Sequence, residues 1–196
     1  LMLTPSGLLQ FTSMIAPNVL VGFFLLLTMF NQNMKGVAYL VGVTVLFSVS
    51  NIINNFMFNS SGRDDSVKKT CHSYGIFSSN GGLSYGTLIY SFTFFYLLIP
   101  MIINNIINIP LLFSLIIMTI LDGMVNVYNK CTSGIYIIIS LLLASLAGTA
   151  WAFTIYSTAP GLTYHTDYIT SNKLACSMPT EQKYRCKVMK NGEVIG

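Results

Sequence analysis

The sequence predicts an all-α protein, a polytopic transmembrane helix bundle of about five spans with a small C-terminal extramembrane tail that contains a hairpin. Hydrophobic residues make up 53% of the 196 residues and charged residues only 8%, whereas soluble domains carry about 25% charged residues. The mean hydropathy is +0.65. Apolar runs long enough to cross a hydrocarbon core of about 30 Å recur along the chain. They cover approximately residues 14–30, 36–56, 83–103, 109–127 and 135–156.

The second of these spans ends in three asparagines. Asn51, Asn54 and Asn55 have i, i+3, i+4 spacing, which places their amides on one face of a helix. Amides in lipid need hydrogen-bond partners, so we expect this face to point into the bundle and to hold helices together.

The third span begins at a turn that is rich in serine and glycine. Gly82 and Gly86 are four residues apart, a small-xxx-small pattern that lets another helix come close. We expect a packing role for both glycines. The alternative is an anion-binding loop at a helix N-terminus.

The length of the fourth span decides how Asp122 is interpreted. Residues 109–121 alone would be too short to cross a membrane, so we expect the helix to continue to residue 127. Asp122 would then lie within the bilayer, where an ionisable group is costly and points to function. In a shorter helix, Asp122 would be an ordinary loop carboxylate.

The fifth span carries a stripe of small residues that repeats every four positions. Such a stripe is a packing signature, and it predicts a helix in the centre of the bundle. Its members are Ser140, Ala144, Gly148 and Ala152.

Residues 157–196 form the predicted tail, which is separate from a membrane domain of residues 1–156. Five of the ten Lys and Arg residues of the chain lie in this tail, which suits anionic lipid headgroups or an acidic protein partner. No nucleic-acid-binding motif is present. Two short β segments around Asn191 and Gly192 predict the hairpin. The tail cations are Lys173, Lys183, Arg185, Lys187 and Lys190.

The four cysteines divide between the two membrane faces if the chain crosses five times. Cys71 and Cys131 would lie in loops on one face, and Cys176 and Cys186 in the tail on the other. A bridge between Cys176 and Cys186 is possible and would stabilise the tail by about 2 to 3 kcal/mol. No CxxC spacing exists, so neither a metal site nor a cofactor is expected.

Several segments resemble the type 2 phosphatidic acid phosphatase family. They are residues 16–22, the loop after the second span, the Ser/Gly turn before the third span, and the turn at residues 129–132. Together with tail residues 176–195, they are more narrowly similar to a membrane protein of large nucleocytoplasmic DNA viruses. The resemblance implies a helix bundle with a phosphate site on the face that carries the two larger loops.

The residues that the family uses for catalysis are largely replaced. Its members attack a phosphate ester with a histidine and clamp the phosphoryl oxygens with groups from K-x6-R-P, P-S-G-H and S-R-x5-H-x3-D motifs. Here Arg63 is followed by Asp64 in place of proline, and Phe56 stands where the clamp lysine belongs. The Ser/Gly turn has neither proline nor histidine. If Cys131 takes the place of the nucleophile, its arginine and aspartate partners are also missing.

The loss of one transition-state donor typically costs about 100-fold or more in rate. We therefore expect a non-catalytic structural protein of the internal membrane of a large icosahedral virion, present in host membranes during assembly. Its partners would be membrane lipids and capsid proteins, which it would contact through its loops and its basic tail.

Two alternatives remain open. The first is a lipid-phosphate phosphatase with a divergent site built from Arg63, His72 and Cys131 with Lys68 and Lys69. The second is a small channel or transporter. Its lining would be Asn51, Asn54, Asn55 and Asp122.

Overall fold

The computed structural model describes residues 5–31, 34–58, 82–164, 188–190 and 193–195. Five long helices lie within these ranges, and each is long and apolar enough to cross a membrane. This confirms the predicted all-α bundle and its five candidate spans. The helices are α1 (Pro5–Asn31), α2 (Lys35–Phe58), α3 (Tyr85–Ile103), α4 (Ile109–Tyr128) and α5 (Gly134–Thr158).

The turns after α3 and α4 each contain one residue in the left-handed conformation, Asn105 (φ 55°) and Lys130 (φ 54°). After α4, the backbone N–H of Cys131 donates to the carbonyl of Asn126 at 2.9 Å. This bond closes a Schellman turn. Asparagine tolerates such a position, whereas lysine occupies it at a backbone cost.

Helix α3 is the most buried of the five. About 67% of its span is buried within the protein, compared with 22% of the α5 span. It packs most extensively against α5 and next against α4. The expectation that the fifth span would occupy the centre is therefore wrong. Small residues cover only one face of α5, and large apolar side chains on its other faces are exposed.

The contact between α3 and α5 uses the predicted stripe of small residues. Ser140, Ala144, Gly148 and Ala152 are the buried residues of α5. A Cβ atom on Gly148 would lie 2.7 Å from the carbonyl oxygen of Phe92. Glycine at this position therefore allows the two backbones to approach closely.

Aromatic side chains fill the end of the bundle where α1 ends and α2 begins. The rings of Phe24 and Tyr39 are 4.2 Å apart, and the hydroxyl of Tyr39 is 2.8 Å from that of Thr93. Tyr164, which follows α5, packs edge-on against Phe24 at 5.3 Å. Burial raises the pKa of the Tyr164 hydroxyl to about 12. This end of the bundle thus has an aromatic core.

The tail contains the predicted hairpin. Strands β1 (Val188–Lys190) and β2 (Glu193–Ile195) pair antiparallel, with Lys190 opposite Glu193. Residues Asp167–Gly196 form a compact unit of their own. The pairing of these strands agrees with the predicted hairpin, whose turn residues Asn191 and Gly192 lie outside the described residues.

Candidate functional site

Asp122 is a buried carboxyl group inside a membrane-spanning helix. Helix α4 extends to Tyr128, so the longer form of the fourth span is the one present. Asp122 lies six residues before that end, or about 9 Å along the helix axis. Only 3% of the residue is exposed. A carboxyl group at this depth must find polar partners within the protein.

The partners of Asp122 are hydroxyl groups from two other parts of the bundle. Its Oδ1 atom accepts a hydrogen bond from Ser13 of α1 at 2.8 Å. Its Oδ2 atom accepts from the hydroxyls of Ser84 and Thr87, both at 3.1 Å. Ser84 directly precedes α3, and Thr87 lies in its first turn. The carboxyl group therefore connects α1, α3 and α4.

Further hydrogen bonds extend this network to α5. The side-chain amide of Asn126 donates to the carbonyl of Asp122 at 2.8 Å and to the Ser84 hydroxyl at 3.3 Å. The backbone N–H of Ser84 donates to the Ser140 hydroxyl at 3.0 Å. Four helices thus meet at one group of side chains, which we name the Asp122 cluster. Its members are Ser13, Ser84, Thr87, Asp122, Asn126 and Ser140.

The two glycines of the predicted small-xxx-small pattern make room for polar side chains. A Cβ atom on Gly86 would overlap the carboxyl group of Asp122, and one on Gly82 would overlap the side-chain amide of Asn54. Gly82 lies before α3 rather than within it. The pattern therefore admits an aspartate and an asparagine, in addition to letting α3 approach its neighbours.

Of the three asparagines near the end of α2, Asn54 is the one that hydrogen-bonds to the segment before α3 within the described residues. Its Oδ1 atom accepts from the backbone N–H of Leu83 at 3.4 Å. Asn51 and Asn55 are exposed. The expectation that all three amides face into the bundle is therefore wrong, since two of the three side chains are exposed.

Cys131 is half-buried in the turn between α4 and α5, and it is disulfide-bonded. A sulfur atom in a disulfide is not a thiolate, so it cannot attack a phosphate ester. Its partner lies outside the described residues, as do Arg63, His72, Lys68 and Lys69. Cys176 and Cys186 also lie outside them.

The hydrogen-bond partners of Asp122 in the described part of the chain are neutral hydroxyl and backbone amide groups. Within residues 5–31, 34–58 and 82–164, no group of three or more His, Cys, Asp and Glu side chains could hold a metal ion. The hydrogen bonds of the Asp122 cluster hold α1, α3, α4 and α5 together.

Sequence reasoning singled out Asp122 and Ser140 but missed the other four members of the cluster. The spacing of two residue pairs in the sequence could have indicated these members. Asp122 and Asn126 are four residues apart, so both lie on one helix face, and Ser84 and Thr87 are three apart across the start of α3. Nothing near Ser13 in the sequence indicates a partner 109 residues away.

No protein family model, curated protein or solved structure matches the chain.

Proposed function

We propose that the protein is a non-catalytic integral membrane protein whose helix bundle serves as a structural scaffold. We further propose that it belongs to the internal membrane of a large icosahedral DNA virus and links that membrane to capsid proteins. The Asp122 cluster carries the first proposal. The second is supported by the resemblance of the sequence to a membrane protein of such viruses.

The Asp122 cluster favours a scaffold because the carboxyl oxygens are occupied by the protein's own hydroxyl groups. A carboxylate that binds a substrate or relays an ion would face a cavity or a hydrated path. Here both oxygens of Asp122 accept hydrogen bonds from Ser13, Ser84 and Thr87. The grooves between α1 and α4 and between α4 and α5 are lined by other residues.

The disulfide at Cys131 supports the non-catalytic part of the proposal. The candidate catalytic residues are Arg63, His72 and Cys131. Of these, Cys131 lies at the turn where the resemblance would place the family's nucleophilic histidine. Once oxidised, it constrains the turn between α4 and α5. It then contributes to stability rather than to phosphoryl transfer.

A phosphate-release assay tests the absence of catalysis. Purified full-length protein in detergent would be incubated with phosphatidic acid, and free phosphate would be measured against a protein-free detergent control. We expect no release above that control, either oxidised or after reduction. Release that disappears in the Arg63→Ala variant would overturn the proposal and establish a divergent phosphatase.

Fractionation of purified virus particles tests the structural role. We expect the protein in the internal membrane fraction, together with capsid proteins that no longer co-purify when residues 167–196 are deleted. The Cys131→Ser variant is the matched control and should retain the capsid proteins. A protein found only in host membranes and not in particles would contradict the viral assignment.

A further inference from the structure

Helices α4 and α5 leave an apolar groove between them. A turn of five residues, 129–133, joins the two helices, yet each packs mainly against α3 and they contact each other little. The groove is wide open on one side and has a volume of about 600 Å³. Met124 and Val127 of α4 face Ile137 and Leu141 of α5 across it.

The length of the groove matches one leaflet of a bilayer. On α4, it extends from Thr119 to Tyr128, which corresponds to about 14 Å at a rise of about 1.5 Å per residue. Half of a hydrocarbon core is about 15 Å thick. The groove therefore reaches from the end of α4, at the level of the headgroups, to about the middle of the membrane.

A lysine lies in the turn that joins α4 and α5 at one end of this groove. Lys130 comes two residues after the end of α4, in the turn between Tyr128 and Gly134. Tyr128 and Gly134 both line the groove, and the side chain of Lys130 is exposed. Lys35, the other lysine whose exposure the structure describes, is buried. Because Lys130 has a positive φ, an asparagine or a glycine would suit its backbone better.

Among the residues that the structure describes, the second groove of similar size has no comparable charge. It has a volume of about 470 Å³ and lies between α1 and α4. Helix α1 contains no charged residue, and the only charged residue of α4 is Asp122. Within the described part of the chain, Lys130 therefore distinguishes the groove between α4 and α5 from the other one.

We propose that the groove between α4 and α5 binds an anionic phospholipid, with an acyl chain along the groove and the phosphate at the Lys130 ammonium group. Apolar walls that span one leaflet fit the chain, and the lysine at the level of the headgroups complements the phosphate charge. This binding does not depend on whether the protein is a viral scaffold.

Native mass spectrometry of the full-length protein in detergent tests the proposal. Phosphatidylglycerol and phosphatidylcholine with identical acyl chains would be added separately, and the fraction of lipid-bound protein would be measured. We expect the wild type to bind phosphatidylglycerol more tightly. The Lys130→Asn variant should retain the left-handed turn but lose about fivefold in affinity for phosphatidylglycerol, with phosphatidylcholine unaffected.

A second pair of variants separates the groove from the charge. In Gly123→Phe, the new Cβ atom would lie 3.7 Å from a methyl group of Ile137, an ordinary contact, and the ring would fill the groove. This variant should lose binding of both lipids. Ser114→Phe, which fills the groove between α1 and α4, is the matched control and should bind phosphatidylglycerol like the wild type.

Three results would overturn the proposal. The first is equal phosphatidylglycerol affinity in the wild type and in Lys130→Asn. The second is unchanged lipid binding in Gly123→Phe. The third is a dimer that forms without lipid and is disrupted by Gly123→Phe, since the groove would then hold a second copy of the chain. Circular dichroism of each variant would verify that the helices remain folded.

Discussion

Replacing Gly86 with alanine is expected to destabilise the bundle, because the new methyl group would overlap the carboxyl group of Asp122. Overpacking of a filled interior typically costs about 1 to 3 kcal/mol. Elsewhere in a helix, the same substitution is favourable by about 1 kcal/mol. Whether Gly86→Ala lowers or raises the free energy of unfolding therefore shows whether Asp122 lies against α3.

A double-mutant cycle that combines Gly86→Ala with Asp122→Ala measures the coupling energy between the two positions. Removal of the carboxyl group eliminates three hydroxyl hydrogen bonds, each worth on average about 0.6 kcal/mol in a membrane protein. Asp122→Ala alone should therefore cost about 2 kcal/mol. In that background, Gly86→Ala no longer meets a carboxyl group and should cost nothing. We expect a coupling energy of about 2 kcal/mol between the two positions.

Reversible unfolding in mixed micelles, followed by circular dichroism, would provide these free energies. Gly22→Ala in α1 is the matched control, because beyond the backbone of its own helix and its chain neighbours nothing lies within 4 Å of the new Cβ atom. This substitution should be neutral or slightly stabilising. If Gly86→Ala is as harmless as Gly22→Ala, or costs the same with and without the carboxyl group, the described contact between α3 and α4 is wrong.

Two further substitutions test other parts of the bundle. Gly148→Ala should cost about 2 kcal/mol in the same assay, because its Cβ would lie 2.7 Å from the Phe92 carbonyl, which cannot rotate away. An unchanged unfolding midpoint would mean that α3 and α5 are farther apart. Five crossings place Cys71 on the same face as Cys131, so Cys71→Ser should release a Cys131 thiol that reacts with a maleimide, whereas Cys176→Ser should not. Peptide mapping that links Cys131 to Cys176 would contradict this topology.

The helices of this fold could be predicted from sequence because their signal is local. Length and hydropathy located all five candidate spans, and the third helix begins only two residues after its predicted start. The small-residue stripe of α5 was also visible, because its period matches one helix face. These features depend on neighbouring residues alone.

The arrangement of the helices depended on long-range contacts that periodicity does not encode. The stripe on α5 indicated that one face is packed, but not that α3 is the most buried helix. Asn51 and Asn54 look equivalent in the sequence, yet Asn54 accepts a hydrogen bond from the segment before α3, whereas Asn51 is exposed. Ser13 is paired with Asp122 because α1 and α4 lie side by side, which depends on the whole bundle.

Accessibility of single cysteines in sealed membrane vesicles would test the five-span topology most directly. With the native cysteines replaced by serine, new cysteines would be placed at Ser133, in the turn between α4 and α5, and at Ile107, in the turn between α3 and α4. Both positions are exposed. We predict that a membrane-impermeant maleimide labels the two positions from opposite sides of the vesicle. Labelling of both from the same side would contradict a membrane-spanning α4.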